Sequence, residues 1–211
     1  MSELTVSARK LVDLPPLFAH AAPGPLNVVF FGPPGAGKGT QADRFSRRYR
    51  IPKISTGDML RKAIHDGAEI GRLVTDRLHR GELVDDALMI QLVAGRLRQP
   101  DTADGFVLDG FPRTVGQARA LDALVPNRVI VALDVSADTL VRRLATRGRS
   151  DDDERVIRER LKIYASETRP VLDYYRRHGM IAVIDGDRAP DAVAAAIEAA
   201  IVRCSEQRET A

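Results

Sequence analysis

FFGPPGAGKGTQ, residues 30–41, decides the fold. Just upstream, the run NVVFFG (27–32) is short, apolar and β-rich, the composition of a strand buried on both faces. Downstream, GTQADRFSRRY (39–49) reads as a helix. The junction fits G-x-x-x-x-G-K with Gly32, Gly37 and Lys38, in the strand-to-helix context that a phosphate-binding loop requires. Glycines leave backbone N–H groups free to curl around a phosphate chain. The helix that follows turns the positive end of its dipole toward the same anion. Lys38 adds a mobile positive charge for the outer phosphates. Gly35, Ala36, Gly37, Lys38, Gly39 and Thr40 are therefore candidates to hold a nucleoside triphosphate. The competing reading, a glycine-rich turn with no ligand, does not account for a lysine at that spacing.

The slot after the lysine usually carries a hydroxyl for magnesium, but here it is Gly39, with Thr40 next. Magnesium is then expected to be held through water and by a carboxylate elsewhere. Asp109 is the candidate, because it ends the strand-like FVLDG (106–110) where a magnesium-ordering acid belongs. The alternative role for Asp109 is a cap or turn former before Gly110.

Further out, RVIVALDV (128–135) and MIAVIDG (180–186) read as two more buried strands. Helical patterns cover Thr114 to Leu124, Ala137 to Thr146, a long segment from about Glu154 to His178, and the alanine-rich tail after Pro190. Alternating strands and helices predict an α/β fold, a doubly wound parallel sheet covered on both faces. Residues 1–25 end in AHAAPGP and read as a flexible N-terminal extension; 26–211 read as one domain.

Net charge is only +3, with acids and bases interleaved, which argues against a nucleic-acid-binding face. A single cysteine, Cys204, excludes an internal disulfide and a cysteine-built zinc site. His20, His65, His79 and His178 are scattered without metal-ligand spacing. No apolar run reaches membrane-span length, and Asp13, Pro15 and Pro16 break the N-terminus as a signal peptide. A cytoplasmic protein is expected.

GPPGAGKGTQ (32–41), ISTGDMLR (54–61), DGFPRTVGQA (109–118) and RGRSDDDERVIRER (147–160), in that order, resemble adenylate kinase, and the resemblance runs from Asn27 to about Val193. It implies a P-loop NTPase-like core with an AMP-binding insertion at 55–84 and a short lid at 146–152. It also implies a monomer that carries out ATP + AMP = 2 ADP with magnesium. On the AMP side the resemblance places Thr56 over adenine and Arg61 on the phosphate. Glu82, Leu83 and Val84 close round ribose and base. Gly110, Phe111, Pro112 and Arg113 supply a second phosphate arginine, and Gln117 reads the adenine edge. Arg147 falls on the ATP side, Arg149 and Arg160 clamp phosphates in the closed state, and Gly186 contacts the ATP base through its backbone. Lys38, Arg113, Arg149 and Arg160 are the implied catalytic set. The short lid lacks cysteines, so no zinc is expected. Asp151 and Asp152 are expected to pair with arginines or to order the loop.

Plainer roles compete at several positions. Thr56 also fits an N-cap, Gln117 a solvated helix position and Gly186 a turn glycine. Arg142, Arg143, Arg155 and Arg158 are expected on a solvated face laced with i,i+4 pairs.

The implied chemistry suits these residue types. An ionised AMP oxygen needs no serine, cysteine or histidine nucleophile, so the protein supplies alignment and charge neutralisation. Arginine's rigid fork matches phosphate oxygens better than lysine's point charge. In UMP/CMP-directed kinases of this fold the threonine is commonly alanine and the glutamine asparagine, so Thr56 and Gln117 favour AMP. A GTPase-type switch would need N-K-x-D and D-x-x-G elements, and the chain has neither. A non-catalytic nucleotide-binding scaffold would be expected to have lost part of the arginine set, which is intact here.

Overall fold

In the computed structural model, residues 24–146, 154–178 and 181–209 are described. The strand before the glycine-rich loop, β1 (Leu26–Phe31), is buried along its whole length. Its pleat sends Val28 and Phe30 into one apolar cluster and Val29 and Phe31 into another, on the opposite face of the sheet. Such a strand needs helices on both sides, and it has them.

Two parallel neighbours flank β1. On one side lies β3 (Gly105–Asp109), with Phe30 opposite Asp109. On the other lies β4 (Val129–Asp134). Outside them run β2 (Lys53–Ser55) and β5 (Ile181–Asp185), giving the all-parallel order β2-β3-β1-β4-β5. The chain winds first to one side of β1 and then to the other. Its reversal opens a crevice at the carboxyl ends of the central strands, where the glycine-rich loop sits.

The expected doubly wound α/β sheet is therefore observed, with one strand more than the sequence suggested. β2 has three residues, of which only Ile54 is buried, too few to show a period.

One face of the sheet is covered by α1 (Lys38–Tyr49), α6 (Ala137–Ala145) and α9 (Pro190–Glu209), through Phe45, Leu140 and Ile197 among others. The other is covered by α4 (Asp86–Leu97), α5 (Val115–Leu124) and α8 (Arg169–His178), through Val93, Leu121 and Tyr175. Tyr174 Oη donates to Asp122 Oδ2 at 2.7 Å, and Arg128 pairs with Asp122, which pins α8 to α5. Between β2 and α4 the chain forms the helical pair α2 (Thr56–His65) and α3 (Glu69–Arg80). α4 went unread in the sequence, although Asp85 is a plain N-cap signal: its Oδ1 accepts from the N–H of Ala87 at 3.0 Å and of Leu88 at 3.2 Å.

The long helix expected over 154–178 is interrupted. α7 (Glu154–Ile163) passes through a π-helical segment, Tyr164–Thr168, into α8. A π segment re-aims the side chains that follow it, and such segments cluster at functional sites. Among the described residues no helix is long and apolar enough to cross a membrane.

Candidate active site

The crevice is a cleft of about 590 Å³. Every site residue expected from the sequence that lies within the described residues lines it. Arg147 and Arg149, and all of the expected lid beyond Thr146, lie outside the described residues, as do Asp151 and Asp152.

One wall is mostly backbone. Gly37 is the N-cap of α1, with φ 92° and no side-chain hydrogen bond to the helix, so the first N–H groups open onto the cleft. Gly35 has φ 83°, and a Cβ there would stand 2.9 Å from Leu144 Cγ. These two positions require glycine, one for its dihedral and one for its dihedral and close packing together. Lys38 Nζ folds back over the loop and donates to the carbonyls of Gly32 (2.8 Å) and Pro33 (2.9 Å). At the loop's far side, Gly186 N donates to Asp134 O at 2.7 Å, tying the turn after β5 to the end of β4.

Arg143 overturns an expectation. It was placed with Arg142, Arg155 and Arg158 on a solvated face, yet it lines the cleft. Its Nη2 donates to Gly186 O at 2.9 Å and its Nη1 to Ala36 O at 3.4 Å, bridging the loop and the turn. Helix spacing explains why: one turn of α6 aims at the sheet's carboxyl edge, and base rates for surface arginines say nothing about which turn. Its offset of four residues from Arg147 was the available signal. Arg158, by contrast, makes an exposed i,i+4 pair with Glu154 at 2.5 Å, as expected.

Asp109 reaches the cleft beside Gly39. A Cβ on Gly39 would lie 3.5 Å from Asp109 Oδ2 and 3.8 Å from Lys53 Nζ, so the slot that lacks its hydroxyl faces this carboxylate. Lys53 itself pairs with Asp43 at 2.9 Å. Among the described residues no group of three or more His, Cys, Asp or Glu could hold a metal. A hard cation carried mainly by phosphate and water would meet one protein carboxylate beside this slot, Asp109.

The opposite wall is built of side chains. Thr56 is buried, and its hydroxyl donates to Asp109 O at 3.5 Å. It is the first residue of α2 and not its cap: Ser55 Oγ accepts from Asp58 N at 3.3 Å and fills that role. Arg61 Nη2 donates to Asp58 Oδ1 at 2.5 Å. Burial raises the Asp58 pKa, but the hydrogen bonds from Arg61 and Ser55, with Arg61 and Lys53 charge, outweigh it and hold the carboxyl below its usual range.

Arg113 Nε donates to Gly110 O at 2.9 Å. Enclosure by protein pushes its pKa down; Asp109 opposes this, and the nearby cations of Arg160 and Arg61 push it down further. Water still reaches the group through the cleft mouth, and it stays a guanidinium.

Gln117 is buried, contrary to the solvated reading. Its Oε1 accepts from Arg113 N at 2.8 Å and its Nε2 donates to Asp86 Oδ1 at 2.7 Å. Glu82 pairs with Arg80 at 2.6 Å while its segment, through Val84, forms the rim. Arg160 reaches the same space from α7, followed by Tyr164 and Thr168 of the π segment. Asp86, Arg143 and Tyr164 are the residues that sequence reasoning missed.

An adenylate kinase family profile matches residues 30–180. The chain is 45% identical over 185 residues to an adenylate kinase of Phenylobacterium zucineum (strain HLK1), covering 83% of this chain and 97% of that protein. It is 44% identical over 185 residues to an adenylate kinase of Stenotrophomonas maltophilia (strain K279a), covering 83% and 99%. To an adenylate kinase of Archaeoglobus fulgidus it is 39% identical over 210 residues, covering 82% and 97%.

Proposed function

The chain belongs to the adenylate kinase family, and from that premise we propose that it moves the terminal phosphoryl group of ATP onto AMP, giving two ADP, without a covalent enzyme intermediate. One observation carries this reading. Arg61, Arg113 and Arg160 come from three separate segments of the chain and all line one wall of the cleft. A polyanion entering there meets three guanidinium groups, and the opposite wall offers it a helix N-terminus without a side-chain cap.

In this reading the loop residues Gly35 to Thr40 cradle the phosphates of ATP, Lys38 leaves its loop carbonyls for the outer phosphates, and Gly186 borders the donor base. Thr56, Arg61, Val84, Arg113 and Gln117 hold AMP. An AMP phosphate oxygen attacks the γ-phosphorus; that O–P bond forms as the bond to the β,γ-bridging oxygen breaks, and ADP leaves. No general base is required, because the attacking oxygen is already ionised. Arg113 and Arg160 cancel the repulsion between the two anions and keep the reacting oxygens in line. Asp109, with the triphosphate and water, would hold magnesium, which would supply further charge neutralisation at the phosphates. Arg147 and Arg149 complete the clamp, and the helical pair within 55–84 closes with the 146–152 segment to exclude water, the competing acceptor. Every expected site residue within the described residues comes from this one chain, which supports a monomer acting on free nucleotides; a cytoplasmic location is part of the same proposal.

A coupled assay for ADP formed from ATP plus AMP, with UMP, CMP and GMP as rival acceptors, tests the proposal. AMP should be strongly preferred. Equal turnover with UMP would overturn the acceptor assignment, and no turnover with any acceptor would leave a binding module.

A further inference from the structure

Resting on the reading of Gln117 as part of the AMP site, we propose that Asp86 is a positioning residue that sets the donor–acceptor polarity of the Gln117 amide and so the choice of acceptor base.

A glutamine amide has nearly the same shape either way round, so only its hydrogen-bond partners fix which end is oxygen. Two partners do so here. The backbone N–H of Arg113 can only donate, and it faces Oε1 at 2.8 Å. The Asp86 carboxylate can only accept, and its Oδ1 faces Nε2 at 2.7 Å. A flipped amide would set donor against donor and acceptor against acceptor at both ends. Asp86 is itself fixed, because its Oδ2 accepts from Thr114 Oγ1 at 2.6 Å, while the same hydroxyl accepts from Gln117 N at 3.1 Å and caps α5. Asp86, Thr114 and Gln117 thus form a closed ring across the α4–α5 contact. The amide is left with one N–H and one oxygen lone pair. A donor beside an acceptor complements the adenine N1 and N6–H₂ edge, and mismatches hypoxanthine, whose edge has the reverse order.

The alternative, that Asp86 merely staples α4 to α5, makes different predictions. Steady-state kinetics of Asp86→Ala, Asp86→Asn, Gln117→Ala and the Asp86→Ala/Gln117→Ala pair would separate them. Asp86→Ala should raise the AMP KM about tenfold, the scale of one well-placed hydrogen bond, with the ATP KM unchanged. It should also lower the preference for AMP over IMP by a similar factor. Asp86→Asn keeps an accepting oxygen and should rescue the AMP KM to within about twofold. In the Gln117→Ala background, Asp86→Ala should add nothing. An equal rise in both KM values, or an undiminished effect in that background, would make Asp86 a staple and overturn the inference while leaving the reading of Gln117 intact. An unchanged AMP KM in Gln117→Ala would instead remove Gln117 from the acceptor site, and the inference with it. Should Asp86→Ala fail to fold, side-chain amide NMR of the wild-type protein decides. One Gln117 Nε2–H should exchange slowly, held by Asp86, and the other faster; rapid exchange of both would refute the ring.

Discussion

Two helix N-termini face the cleft, and they are built in opposite ways. α1 begins at Gly37 with no side-chain cap and no acid in its first turn. α2 begins at Ser55, whose hydroxyl caps it, with Asp58 in its first turn. The first carries no side-chain cap, which suits its N–H groups and dipole to the phosphates of the proposed donor. The second has already spent its N-terminus on its own side chains. It presents Thr56 and Arg61 to the cleft in place of backbone. The proposed donor wall therefore grips by main chain and is indifferent to the base, whereas the proposed acceptor wall grips by side chains and can discriminate.

The sharpest way to break this contrast is Arg113→Ala. Turnover should fall by about 10²–10³-fold, the scale for removing one preorganised donor at developing charge. Far-UV circular dichroism should stay native, because the guanidinium fills no core position. A folded variant with near-normal rate would take Arg113 out of the site.

Gly37→Ala probes the other wall. Nothing crowds a Cβ there within 3.9 Å, so the cost is the left-handed dihedral alone, ~1–2 kcal/mol. Expected are a lower Tm and a higher ATP KM with the AMP KM unmoved. If the AMP KM rises instead, the two termini have been assigned the wrong way round.

Thr56→Ala should erode the preference for AMP over UMP severalfold without touching the ATP KM, read from acceptor competition. An unchanged acceptor ranking would show that the buried hydroxyl takes no part in selecting the base.

Ser55→Ala is the mildest change. Loss of the cap should cost ~1 kcal/mol and lower Tm by about 2–4 °C. The donor KM should hold; a rise there would mean that the capped terminus, too, serves the phosphates.

The glycine-rich loop was legible because each of its requirements is local: a strand, a left-handed turn and a helix start, within a dozen residues. Arg61, Arg113 and Gln117 were placed by resemblance to the family and not by any period in the chain. Arg143 was misread, because one turn of α6 looks like any other until the strand order shows which turn meets the loop. Asp86 gave no signal at all; its partners Thr114 and Gln117 are 28 and 31 residues away. β2 was missed for the same kind of reason. Its three residues are a strand only because β3 lies beside them.

By itself, the sequence determined the alternating α/β plan, the doubly buried central strand and the glycine-rich turn into α1, since burial period, glycine dihedrals and helix dipoles are short-range properties of the chain. Which arginines share the cleft, which side chain caps α2 and which way the Gln117 amide faces were settled only in three dimensions. Those depend on donors, acceptors and charges brought together from distant segments, and their energies exist only once the strands have taken their order.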